Sequence, residues 1–261
     1  MATEPSGFVV HAAKSRVPNT AGFSNFLSEY FYFAMSLLVA AVVIYGFSHT
    51  VNGNLIHATP PRPWILWVHG AIFSGWLAFF IFQSALVRTG RVKLHRLAGW
   101  FGVGLGALIP VLGISTAIIM TRFQMLQLHA VSDAVTDLID PFFDMAAFTI
   151  AFSLAIYWRK APEFHRRLLL LATCSLTTAA FSRFPPDLLP VLPNMLEFIW
   201  FYIGVDTLIL LGVAHDLIVT RRIHRVYLYG LPAFIIYQTI VVYMYEYNWQ
   251  SCVKIVRVFT G

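Results

Sequence analysis

The chain has 261 residues, of which 58% are hydrophobic and only 11% charged, with a net charge of +6. Soluble domains carry about 25% charged residues, and here the apolar residues fall in long blocks, so a soluble globular domain is excluded. The basic excess sits in short loops between apolar runs, where membrane topology accounts for it and nucleic acid does not. Backbone groups in lipid must be satisfied within the segment, so each block is expected to be a helix and the fold all-α. The short alternating segments of a β-barrel are absent.

Residues 1–24 are polar and carry Gly, Pro and Ser. They are expected to form a flexible or peripheral cytoplasmic arm rather than a secretory signal, because the apolar run that follows is long and has no clear small-residue cleavage site. Seven spans follow, at residues 29–47, 63–87, 94–120, 138–158, 164–184, 196–219 and 226–247, each near the ~20 residues needed to cross. The seven-helix domain covers 25–248, and 249–261 is a short extracytoplasmic tail.

The loop between spans two and three carries Arg88, Arg91, Lys93 and Arg96. The next loop of that parity has Arg159, Lys160, Arg166 and Arg167, and the last has Arg221, Arg222 and Arg225. The alternate loops hold Arg62, Arg122 and Arg183 against Asp133, Asp137, Asp187 and Glu197. The positive-inside rule therefore places the N-terminus in the cytoplasm and the C-terminus outside. "PPDLLPVLP", from Pro185, cannot continue a helix and is expected as an outer loop. The stretch from Thr121 to Asp137 alternates at helical spacing and extends span three or lies along the outer surface. Gly102 and Gly106 form a GxxxG pair that admits close approach of another helix, and Gly99 serves packing too. Cys174 and Cys252 give neither a disulfide framework nor a CxxC pair.

Ionisable groups inside spans are costly and count as functional candidates until they are paired. An outer group contains His69, Asp140, Asp144, Arg183 and Asp206. Asp140 and Asp144 share a face of span four, and one or two carboxylates are expected to pair with Arg183. Its readings are a structural ion-pair network, a metal site, or a proton or substrate relay. An inner group contains His95, His165, His215, Asp216 and His224. His95-Arg96 and His165-Arg166 each open a span on the basic side. Such residues sit comfortably at head-group level. Two imidazoles at matching depth can also clamp a b-type haem, with Arg96, Arg166 and Arg167 facing its propionates. Trp76 and Gln83 lie within span two. Gln83 needs a hydrogen-bond partner there. No lysine lies within the last span, which excludes a retinal Schiff base.

"WVHGAIFSGWLAFFIFQSALVRTGRVKLHRLAGW" followed by "EFHRRLLLLATCSLTTAAFSRFP" resembles a group of uncharacterised bacterial multi-pass membrane proteins with paired His-Arg motifs. The matching positions are His69, Gln83, His95 with Arg96 and Gly99, His165 with Arg166, and Arg183. The central helices are also loosely similar to transmembrane di-haem b-type cytochromes, in which histidines on alternating helices of a four-helix core bind one haem near each face. That similarity implies a core of helices two to five and an inner haem on His95 and His165. Helix four offers Asp140 and Asp144 and no histidine, so an outer haem lacks its second ligand. Three functional expectations follow: a b-type haem redox subunit, an accessory subunit of a larger membrane complex, or a small-molecule or proton transporter using Asp144, Asp206 and Arg183. The partners implied are the lipid bilayer, in a bacterial inner membrane, and other membrane subunits, with no nucleic acid.

Overall fold

The computed structural model describes residues 20–185, 197–247 and 249–260. Its described residues are helical, with no strand among them. The helices are α1 (Thr20–Ser48), α2 (Ile65–Arg88), α3 (Val92–Phe123), α4 (Val131–Tyr157), α5 (Pro162–Ser175), α6 (Thr178–Phe181), α7 (Glu197–Thr220), α8 (Arg225–Tyr247) and α9 (Trp249–Thr260). Six segments are long and apolar enough to cross a membrane, and they belong to α1, α2, α3, α4, α7 and α8.

The segment expected as span five, 164–184, is interrupted in its middle. The chain tightens at Leu176 and Thr177, whose amides bond back three residues to the carbonyls of Thr173 and Cys174, at 3.2 and 3.0 Å. The cause is local. Ser175, Thr177 and Thr178 all donate their hydroxyls to carbonyls three residues behind. Such back-bonding competes with the helical ladder and bends it. A short stretch of this kind inside a helix often marks a hinge.

Neighbours close into a ring: α1 packs on α2, α2 on α3, α3 on α4, α4 on α5, α5 on α7 and α7 on α1. α8 lies against α7, α5 and α4. The interior is filled by Val39, Trp76, Ile109, Phe148, Leu170, Val205 and Ile209, among others. Trp64, Trp67 and Trp100 project outward and are exposed, as lipid-facing and interfacial aromatics do. Gly102 and Gly106 do not bring two backbones together. Each receives an aromatic ring, Phe79 of α2 at Gly102 and Phe152 of α4 at Gly106. Gly99 has open space where a side chain would begin, so it does not serve packing.

Two boundaries differ from the sequence reading. α4 starts at Val131 and runs through Pro141, so Asp140 lies well inside it. The approach is a π-helical turn at Gln124–Leu128, closed by His129 in the left-handed region (φ 53°). The expected tail is the amphipathic helix α9. Cys252, Val253 and Val256 are buried as it packs across α4, α3 and α8. With α4 and α8 it borders a half-open apolar pocket of about 200 Å³, lined by Leu138, Phe142, Met244, Ile255 and Phe259 among others. Most of the expected arm, and the proline-rich stretch from residue 186 onward, lie outside the described residues.

Candidate functional site

The basic loops gather at one end of the bundle, here the basic end. His95 lies in the first turn of α3, its amide bonded to the Arg91 carbonyl. His165 lies in the first turn of α5, whose start is fixed by Pro162, a residue well suited to a helix's first turn. α3 and α5 flank α4, and their two imidazoles meet beside it with ring centroids 6.3 Å apart and planes at 79°. His165 Nδ1 bonds to the Ala155 carbonyl at 2.9 Å. A carbonyl only accepts, so Nδ1 carries the proton and Nε2 keeps its lone pair. A backbone carbonyl behind one ring nitrogen is the usual support for a metal-binding histidine. Both side-chain amide atoms of Gln83 are buried, with no hydrogen-bond partner among the described residues, while the Gln83 backbone lies within hydrogen-bonding reach of the His95 imidazole.

The arginines expected to attend this pair behave differently from one another. Arg96 is exposed. Arg166 bonds Glu163 at 2.5 Å and sits over the Tyr32 ring at 4.9 Å, while its Nε is buried without a partner among the described residues. Arg167 turns inward and is 1% exposed. Its guanidinium meets Asp216 of α7, itself 0% exposed, through Nε at 2.9 Å to Oδ2 and through Nη2 to Oδ1. Nη1 also holds Glu163, at 2.5 Å to its carboxylate and 2.8 Å to its carbonyl. The sequence reading had Arg167 among the topology and propionate charges. It is instead the clamp between α5 and α7. The available signal was Asp216, one turn from the end of an apolar span, where a lone carboxylate demands a cation.

His215 is buried beside this clamp, stacked on Phe31 at 4.1 Å, with Nδ1 3.4 Å from Asp216 Oδ1. His224, in the loop between α7 and α8, donates its backbone N–H to Asp216 at 3.2 Å. Burial and the nearby Arg167 charge hold the His224 imidazole below its ordinary pKa.

The outer group is not one site. Asp140 accepts hydrogen bonds from Tyr245 at 2.8 Å and Tyr202 at 3.5 Å. Asp144 accepts from Thr178, at the break between α5 and α6, at 3.1 Å and from Tyr237 at 3.4 Å. Asp206 accepts from Gln238 at 3.0 Å. Arg183 pairs with none of these carboxylates. It donates to the Ala179 carbonyl and lies over the Phe47 ring at 4.6 Å. His69 stacks on Phe73 at 3.9 Å. The expected Arg183 ion pairs are therefore replaced on α4 by phenols from α7 and α8 and the Thr178 hydroxyl of α6, and on α7 by the Gln238 amide of α8. Those long-range partners leave no mark in the spacing along α4 itself.

Among the described residues, no three histidines, cysteines or carboxylates come together as a metal site. The His95–His165 pair offers two imidazoles and no third ligand. A lone zinc ion wants three or four protein ligands. A porphyrin brings its own equatorial nitrogens and leaves two axial positions. By donor count alone, two imidazoles would suit a porphyrin iron, which brings its own four nitrogens, better than a bare ion. No protein-family model, curated protein or solved structure matches the chain.

Proposed function

We propose that the protein is an integral membrane redox subunit that holds a single b-type haem between His95 and His165. The observation that carries this reading is the convergence of the two rings at 6.3 Å from helices that flank α4. The support of His165 by the Ala155 carbonyl strengthens it. When bound, the haem supplies a reversible one-electron couple. His165 is oriented by that carbonyl. Arg166, with its buried Nε, and Arg96, at the surface, are the cations nearest in sequence to the pair and would hold the porphyrin carboxylates. The open space at Gly99, one turn beyond His95 on the same helix face, leaves room beside the ring.

In this reading the basic end faces the cytoplasm of a bacterial inner membrane. The interrupted pair α5–α6 makes a seventh crossing, and α2 to α5 form the core around the haem. Residues 162–184 cover about 33 Å at helical rise, enough to cross. The N-terminus is inside and α9 lies at the outer face. A subunit of this kind passes electrons to or from other membrane subunits.

The test is the haem content of protein purified in detergent, by pyridine extraction and Soret absorbance. A single haem per chain is expected, lost in His95→Ala and in His165→Ala and kept in Tyr243→Phe. A wild-type protein without haem ends the reading.

The break beside Asp144 favours a second reading, in which the protein is a proton-coupled or small-molecule transporter. Interrupted helices near the membrane midplane frequently form transporter sites. Asp144→Asn and Asp206→Asn then lower uptake into proteoliposomes, and unchanged uptake in both counts against transport.

A further inference from the structure

One face of α2 is turned into the bundle, and Ile65, Trp76 and Phe80 lie buried on it. His69, Trp76 and Gln83 share that face at intervals of seven residues, close to two helical turns. They stack in a column about 21 Å long, most of the hydrocarbon thickness. Each presents a buried polar atom with no hydrogen-bond partner among the described residues: Nδ1 of His69, Nε1 of Trp76, and both amide atoms of Gln83. Trp76 is 4% exposed, held edge-on between Phe148 and Phe152 of α4. α3 adds the buried and likewise unpartnered Thr116 Oγ1 towards the far end.

Buried polar atoms are almost always bonded, to protein or to ordered water. One exception would be an accident of packing. Four side chains on two adjacent helices, spread along most of the bundle's length, amount to a lining. We infer that they line a hydrated track through the bundle that carries protons between the far face and the basic end. The chemistry of the lining selects the proton. The polar groups are neutral and about 10 Å apart along α2, so no point offers the six or more oxygens a metal cation needs. Single polar atoms at that spacing can instead anchor a chain of waters. A proton enters one end and another leaves the opposite end, with no net bond made or broken. Thr116 and His69 can donate and accept. Trp76 only donates, so it orients a water without relaying a proton itself. Among the described residues, Arg183 is the cation whose charge reaches the lining, at His69. No carboxylate is needed in it, which separates it from the Asp140–Asp144 group. The track does not depend on the haem.

The experiment uses the full chain in liposomes loaded with a pH-sensitive dye, under a potassium diffusion potential set by valinomycin. Wild-type vesicles should take up protons well above protein-free vesicles. Gln83→Leu and Trp76→Phe should each lower the rate about tenfold, as loss of one anchoring hydrogen bond allows. Gln83→His, which restores a donor and acceptor, should recover it, and Tyr229→Phe on the exposed surface should leave it unchanged. Thermal melts identify any variant that has lost its fold, and the Gln83→His rescue keeps the test decisive in that event. Uptake at the protein-free level, or uptake untouched by Gln83→Leu and Trp76→Phe, overturns the track. The absorbance of the same preparation judges the redox reading separately: colourless protein that conducts defeats the haem alone, and coloured protein that does not conduct defeats the track alone.

Discussion

Arg167→Met removes the cation from a pair whose side chains are 1% and 0% exposed. Asp216 then loses the Nε bond at 2.9 Å and the Nη2 bond, and keeps the His224 amide at 3.2 Å and its neighbour His215. Breaking a buried ion pair from one side costs about 3–5 kcal/mol. Asp216→Leu should be milder, about 2–3 kcal/mol, because Arg167 retains the Glu163 carboxylate and carbonyl. Replacing both members by apolar side chains of similar size leaves no uncompensated charge, so the double variant should lie within about 1 kcal/mol of wild type. The coupling energy is then at least ~4 kcal/mol. Unfolding by SDS titration in mixed micelles, followed by circular dichroism, measures all four proteins. Additive single losses, with the double variant the least stable of the set, would refute the view that these two side chains form one buried unit.

Three other outcomes follow from the packing. Gly106→Val drives a side chain into the Phe152 ring and should cost about 1–3 kcal/mol, whereas Gly99→Ala, with open space around it, should be neutral or stabilising by up to ~1 kcal/mol. The same titration distinguishes the two. Tyr245→Phe leaves Asp140 with only the longer Tyr202 bond at 3.5 Å of its two phenol donors, and should lower stability by about 1–3 kcal/mol. Val256→Asp places a charge on the fully buried face of α9. It should release that helix from α4 and raise protease cleavage after residue 248, and unchanged cleavage would show that α9 is not held by this face.

The helical class and the places of the long apolar segments were legible because a membrane span writes its length and hydropathy into consecutive residues. The matching depth of His95 and His165 was legible for a related reason, since each sits one turn into a helix that begins at the basic end, but the spacing did not show that those helices flank α4. The break at Leu176 and Thr177 was harder to see. Its residues are apolar enough for a span, and the hydroxyls of Ser175, Thr177 and Thr178 cluster on carbonyls three residues behind where the helix breaks. The clamp joining Arg167 to Asp216 bridges 49 positions, and the phenols that reach Asp140 come from α7 and α8, so their partners could not be read from local spacing. The misplacement of Arg183 has the same origin. Depth alone put it level with the carboxylates, but its guanidinium turns to the Ala179 carbonyl and the Phe47 ring. α9 carried its own sign, with Cys252, Val253 and Val256 on one face of a twelve-residue helix.

The central claim is that two histidines at the basic end hold a haem, and the dithionite-reduced minus air-oxidised spectrum of the purified protein tests it most directly. The account predicts a Soret shift and sharp α and β bands of a six-coordinate bis-imidazole haem, absent from His95→Ala and His165→Ala. A flat difference spectrum from folded wild-type protein expressed with ample haem would contradict it.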